Sequence, residues 1–189
     1  IKGIDHVVGH SDKQRIPQIL QASFQSDLKQ EAEPADFQMP LFSASLPVES
    51  AGRTRPFLKI QDGCNAFCTY CIVPHARGRQ KSMPFEHVVT SIYLINAAGF
   101  HEVVLTGIHL GSYGRDLIPK TGLTQLLVRL HEQQIIDRIR LSSIEPLEIT
   151  KELISVVSRA SDRPGHICRH FHIPLQSGDD RILKRMGRP

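Results

Sequence analysis

The stretch Gly63-Cys64-Asn65-Ala66-Phe67-Cys68-Thr69-Tyr70-Cys71 holds three of the four cysteines in a chain of 189 residues. The gaps are three residues and then two, so one loop can turn all three sulfurs toward a single point. No charged-then-apolar leader opens the chain, and clustered free thiols fit a reducing, cytoplasmic setting. A metal site is therefore expected rather than a disulfide framework, which would leave one of the three unpaired. Three thiolates can hold three irons of a [4Fe–4S] cluster and leave the fourth iron open, as a catalytic site requires. Zinc is the alternative, but a structural zinc site wants four closed ligands, and no second cysteine pair is present. His75 is near enough in sequence to be a fourth ligand, although Pro74 stiffens the chain before it.

The elements around this loop alternate between strand and helix. Phe57 to Gln61 reads as a strand running into the cysteines. Pro84 suits the first turn of a helix carrying Val88, Val89, Ile92 and Ile95 at helical spacing, with Gly99 as its stop. Val103-Val104-Leu105 is the second strand, and Leu123, Leu126, Leu127 and Leu130 form a helical stripe. Arg138 to Ile144 is the third strand. Thr150 can cap a helix that turns Leu153, Ile154 and Val157 inward. Phe171 to Gln176 is the fourth strand by its alternation, and a last helix opens at Asp179 or Asp180. This order predicts an α/β fold with parallel strands and right-handed crossovers, either an open sheet or a barrel. Polar residues gather at the strand ends, in 62–71, 106–109, 142–145 and 176–180, where α/β folds place their sites.

Upstream, residues 4–20 read as one strand–helix unit, with Val7-Val8 as the strand. Ser11 or Asp12 is the expected cap of a helix bearing Ile16, Ile19 and Leu20. One such unit cannot bury its own core, so residues 1–20 read as the end of a preceding domain. Residues 21–54, broken by Pro34, Pro40 and Pro47, read as a linker, and 55–189 as the main domain. The composition is 40% hydrophobic and 22% charged, with a net charge of +4. That is ordinary for a globular domain, gives no membrane-spanning run, and mildly favours a polyanionic partner.

Several stretches carry candidate chemistry beside a plain structural reading. Arg77, Arg79 and Lys81 are either a solvated basic loop or contacts for a phosphate or carboxylate. In 106–114, three glycines would let backbone approach a ligand closely; the spacing is not a dinucleotide fingerprint. His109 there reads as a satisfied loop histidine. Glu145 either pairs with Arg140 or lines a pocket with Ser143. Cys168 reads as a small buried hydrophobe. His170 and His172 share one strand face, and His172 and Gln176 can point into a barrel.

The nine-residue loop resembles the cluster motif of the radical S-adenosylmethionine enzymes, with Tyr70 at the aromatic place before the third cysteine. The resemblance implies that Cys64, Cys68 and Cys71 ligate a [4Fe–4S] cluster whose open iron chelates S-adenosylmethionine. It also implies that Tyr70, Thr106, Gly107, Ser143, Glu145 and Gln176 line the cofactor pocket. The fold it implies is a partial (β/α)6 TIM-like barrel, here truncated after about four strand–helix units.

Within that superfamily the runs QDGCNAFCTYCIVPHARGR (61–79), EVVLTGIHLGSYGRDL (102–117), RIRLSSIEPLEIT (138–150) and HFHIPLQSGDDRILKRMGR (170–188) resemble the methylthiotransferases. DHVVGHSDKQRIPQIL (5–20) looks like the tail of that family's α/β amino-terminal domain, although His10 stands where the family usually shows Asn. The runs at 106–116 and 142–146 are most similar to the branch that adds a methylthio group to C2 of N6-threonylcarbamoyladenosine beside the tRNA anticodon. Sister branches act on isopentenyladenosine in tRNA or on a ribosomal-protein aspartate. The resemblance implies the tRNA anticodon loop as partner, an electron donor such as flavodoxin or ferredoxin, no membrane and no DNA. It also implies a second [4Fe–4S] cluster upstream of this fragment and an RNA-binding domain downstream. Other readings are a radical enzyme of a different reaction and a non-enzymatic iron–sulfur or zinc protein.

Overall fold

The computed structural model describes residues 3–25, 54–159 and 165–188. The chain divides into two compact units, Ile1–Leu41 and Phe42–Pro189.

In the first unit a 3-10 turn over His10–Arg15 leads into helix α1, Ile16–Gln25. The expected strand at Val7-Val8 is absent: no described strand pairs with it, and Val7 is exposed. The N-cap position falls at Gly9, not at Ser11 or Asp12. Gly9 precedes the turn with no side-chain cap, and the Asp12 carboxylate instead meets Arg15 at 3.3 Å. Ile16 and Leu20 are exposed. Helix α1 continues through Gln25, so the helix overlaps the start of the expected linker; residues 26–53 lie outside the described residues.

The second unit is a curled sheet with helices on one face. Its strands are β1 (Phe57–Asp62), β2 (Lys81–Ser82), β3 (Glu102–Gly107), β4 (Arg138–Leu141) and β5 (His166–Ile167), in the order β2-β1-β3-β4-β5. β1, β3, β4 and β5 are parallel, while β2 returns antiparallel to β1. The helices are α2 (Val73–Arg77), α3 (Phe85–Ala97), α4 (Leu123–Gln133), α5 (Lys151–Ser158) and α6 (Asp180–Arg185). No helix among the described residues is long and apolar enough to cross a membrane.

Strand alternation separates two faces. Leu58, Ile60, Val103, Leu105, Ile139, Leu141 and Ile167 form one core with Val88, Ile92 and Ile95 of α3, the leucine stripe of α4, and Leu153 and Val157 of α5. Lys59, Thr106 and Arg140 lie in alternate positions and face the other way; there Arg140 bonds Glu102 at 2.7 Å. Gly99 ends α3 with φ of +86°, and Thr150 caps α5 by accepting from the Leu153 N–H at 3.2 Å.

Two expected strands end differently. β4 stops at Leu141, although the ladder reaches further: the Ser142 N–H bonds the Leu105 carbonyl, and Ser143 bridges His172. The fourth parallel strand is His166–Ile167, not Phe171–Gln176, whose only strand contact among the described residues is that bridge at His172. Pro174 has no N–H to pair, and Gln176 turns left-handed with φ of +63°. The alternation that suggested a strand puts Phe171 against the core but leaves Ile173 and Leu175 exposed.

Candidate cluster and cofactor site

The cysteines lie on the excursion 63–80, between β1 and its antiparallel partner β2. Gly63 opens it with φ of +68°, and a Cβ there would run into the Arg79 carbonyl, so glycine is required both conformationally and sterically. The Cys64 N–H bonds the Gly78 carbonyl at 3.2 Å, and the Gln80 N–H bonds the Asn65 side chain at 3.1 Å. These contacts strap the two ends of the excursion together.

Below them, Asp62 is fully buried and takes Lys59 at 2.6 Å, Arg77 at 3.2 Å and the Gly63 N–H at 2.8 Å. Burial opposes its charge, but these donors outweigh it and bring its pKa down to about 2. Arg77 of the basic stretch is therefore engaged by an internal carboxylate, whereas Arg79 and Lys81 are exposed.

Cys64, Cys68 and Cys71 are free and half-buried. The Cys64 thiol is pushed up, first by burial and then by the thiols of Cys68 and Cys71 and the Glu148 carboxylate, opposed by the Ala66 N–H. A cationic metal centre holds coordinating thiols deprotonated. Among the described residues no three His, Cys, Asp or Glu side chains are gathered as a metal-ligating group, so ligation requires the thiols to turn inward. His75 lies on α2 and meets the Phe67 ring edge-on at 5.8 Å. Cys168 is buried away from the loop, its N–H on the Ile139 carbonyl; burial pushes its thiol up.

The loop is also held from the far end of the chain. Thr69 donates its N–H to the Met186 carbonyl at 2.9 Å and its hydroxyl to the Arg185 carbonyl at 3.2 Å, at the end of α6. Tyr70 donates to the Gln176 side chain at 3.2 Å. Arg188 donates to the Tyr70 hydroxyl at 3.0 Å, approaches the Cys68 sulfur at 3.8 Å, and pairs with Glu145. Glu145 thus pairs with Arg188, not Arg140, whose partner is Glu102. Arg188 thus joins Tyr70 to Glu145, and Tyr70 in turn reaches Gln176. Ser143 is hydrogen-bonded to His172 at 2.6 Å and is not part of that group.

The loop after β3 is fastened to the same place. Gln61, fully buried, accepts the His109 N–H at 2.8 Å and donates to the Gly63 carbonyl at 2.8 Å. His109 lies between the Cys64 sulfur, 3.6 Å from Nδ1, and the Glu148 carboxylate, 2.8 Å from Nε2. The three glycines approach protein groups: Gly107 lies against Gln61, Gly111 against Glu148 and Gly114 against Thr121. Thr106 and Gly107 are half-buried at the end of β3. Gln61, Glu148 and Arg188 were not expected as site residues. All three lie in the motif runs at 61–79, 138–150 and 170–188, but no local spacing marks them as partners of the cysteines.

The description "Radical SAM superfamily" matches residues 58–189. A Bacillus subtilis (strain 168) protein named threonylcarbamoyladenosine tRNA methylthiotransferase MtaB is 39% identical, over 100% of this chain and 41% of its own length. A Clostridium tetani protein named tRNA-2-methylthio-N(6)-dimethylallyladenosine synthase is 38% identical, over 76% of this chain and 31% of its own length. The chain thus spans about two fifths or less of these relatives. The radical S-adenosylmethionine methyltransferase TsrM from Kitasatospora setae, solved with cobalamin and a [4Fe–4S] cluster, superposes with a TM-score of 0.53. That likeness covers 68% of this chain and 23% of TsrM at 14% identity, and concerns the fold alone. A half-barrel of parallel strands with a three-cysteine loop at their carboxyl ends, matched from Leu58 onward, places the chain in the radical SAM superfamily.

Proposed function

We propose that this chain is the radical-generating part of a tRNA methylthiotransferase. In this reading Cys64, Cys68 and Cys71 hold a [4Fe–4S] cluster, and S-adenosylmethionine binds beside it. A cluster held by these three residues would supply one electron, drawn from an external reductant, for reductive cleavage of the sulfonium bond of S-adenosylmethionine. The observation that carries the reading is the set of three free thiols on one strapped loop at the carboxyl ends of the parallel strands.

The remaining roles belong to this chain's own side chains. Tyr70 lines the cofactor pocket with Gln176 and Glu145, and Arg188 supplies a positive group at its edge. Thr106, Gly107 and Ser143 complete the proposed lining at the ends of β3 and β4. Phe67 and Tyr70 of the cysteine loop, and Leu175 beside Gln176 in sequence, are exposed and offer apolar surface to a nucleobase. The sulfur-bearing second cluster would need ligands from outside these residues, because Cys168 is buried and alone.

The proposed substrate is N6-threonylcarbamoyladenosine beside the tRNA anticodon, which would receive the methylthio group at C2. Whole-chain similarity supports it: proteins so named in Bacillus subtilis and Aquifex aeolicus are 39% and 37% identical over 100% of this chain. A second reading, the dimethylallyl-type (isopentenyl) adenosine, is supported by relatives of that name at comparable identity, two of them over 98% of this chain. Mass spectrometry of tRNA nucleosides from cells lacking and then regaining the gene separates them. The threonylcarbamoyl nucleoside should gain its 2-methylthio form on complementation; gain by the isopentenyl nucleoside alone would favour the second reading. No gain in either sinks both.

A further inference from the structure

The strongest feature outside the cysteine triplet is a line of side chains running from Cys64 into the fold. The Cys64 sulfur stands 3.6 Å from His109 Nδ1, and His109 Nε2 stands 2.8 Å from Glu148 Oε1. Arg115 donates to the same carboxylate oxygen at 3.3 Å. The Glu148 side chain is only 9% exposed, and that of His109 18%. Its two central members, His109 and Glu148, are held in place. Gln61 holds the His109 N–H at 2.8 Å, and the Glu148 N–H bonds the Glu145 carbonyl at 3.0 Å. Gly111 has no Cβ, and one there would overlap the Glu148 carboxylate. A solvated loop histidine needs none of these restraints.

We propose that His109 is a positioning residue for Cys64, oriented by Glu148, and that it hydrogen-bonds the Cys64 sulfur and so tunes the reduction potential of the proposed cluster. A carboxylate on the far nitrogen of an imidazole fixes the ring's orientation and the direction in which the near nitrogen faces. In this arrangement Nδ1 faces the sulfur and Nε2 faces the carboxylate. Hydrogen bonds to ligand sulfurs are among the terms that set iron–sulfur potentials, and donating to an electron-rich sulfur favours the reduced cluster. Cys68 instead has the Arg188 guanidinium at 3.8 Å, so the ligand sulfurs are not equivalent.

This inference rests on the cluster reading, and its test separates the two. Wild-type protein, His109→Leu, His109→Gln and Glu148→Gln are reconstituted anaerobically with iron and sulfide. Iron and sulfide are assayed, and the cluster is titrated redox-potentiometrically with electron paramagnetic resonance as readout. Wild-type protein without iron and sulfide overturns the cluster reading, and this inference with it. With the cluster present, His109→Leu should lower the reduced-to-oxidised ratio at a fixed poise about tenfold, equivalent to about 59 mV for one electron. Glu148→Gln, which leaves the ring in place, should shift it the same way by less, and His109→Gln, which keeps a donor, should recover part of the loss. Wild-type potential in both His109→Leu and Glu148→Gln overturns the inference. Should His109→Leu fail to hold a cluster, Glu148→Gln decides alone: an unshifted potential overturns, a lowered one supports.

Discussion

The side-chain oxygen of Gln61 accepts the backbone N–H of His109 at 2.8 Å, joining positions 48 residues apart. One amide thereby ties the end of β1, where the cysteine loop begins, to the loop that follows β3. Gly107 permits this, because a Cβ there would stand 2.8 Å from the same oxygen.

Substitution of the loop glycines should cost stability in proportion to what a new Cβ meets. Gly63→Ala combines a left-handed φ with a collision against the Arg79 carbonyl and should destabilise by about 1–3 kcal/mol or more. Gly178, with nothing within 4 Å of its would-be Cβ, is the control, and its alanine variant should lie within about 0.5 kcal/mol of wild type. Urea unfolding of the two variants checks this; equal midpoints would contradict it.

Glu102 gives stability a pH dependence. Burial opposes its charge, but Arg140, Arg138 and Arg55 hold its carboxyl below the usual value of 4.5. The folded state therefore binds this proton more weakly than the unfolded chain. Its contribution is fully present above pH 4.5 and is lost as pH falls through the depressed folded value. At neutral pH Glu102→Gln should cost about 1.5–3 kcal/mol, the range for hydrogen bonds to charged groups. The difference from wild type should shrink when unfolding is repeated below pH 4; a constant difference would show that the charge is not responsible.

The cysteines should divide three against one. Alanine at Cys64, Cys68 or Cys71 should abolish retention of iron and sulfide after anaerobic reconstitution. Cys168→Ala should retain them, because that thiol is buried beyond the loop. Stoichiometric zinc without sulfide in the wild-type protein would replace the cluster with a different metal site.

Asp179 should control the cysteine loop from a distance. Its carboxylate accepts from the N–H groups of Arg181 and Ile182 and caps α6. The far end of that helix receives Thr69. Asp179→Ala should weaken the helix start and speed amide exchange at Thr69 as α6 frays. Unchanged protection at Thr69 would mean that the loop does not depend on this helix.

The parallel sheet and its helices were legible because their periods are strong: Leu58 with Ile60, Val103 with Leu105, and the leucines of α4. β2 and β5, with two residues each, are too short to carry a period. Phe171, Ile173 and Leu175 carry one without forming a strand, since a prolyl ring and a left-handed glutamine intervene. The cysteine triplet was legible because its spacing is local. The partners around it were not: Cys64 and His109 are 45 residues apart, and Cys68 and Arg188 are 120 apart. No local pattern marks a contact that only the fold creates. The basic stretch hid its partner for a related reason, since the carboxylate that Arg77 meets is buried at the end of β1.

The division of the sheet into an apolar and a charged face also bears on how the strands find their alignment. A slip of one residue between β1 and β3 would turn Lys59 into the layer under the helices and Leu58 out of it. Burying an unpaired ammonium costs several kcal/mol, so misaligned pairings are expelled rather than trapped. The irregular register between Lys59 and Gln61 pins the same two strands once more, close to the cysteines. As it pairs, the sheet therefore sets the level at which the cysteine loop leaves it.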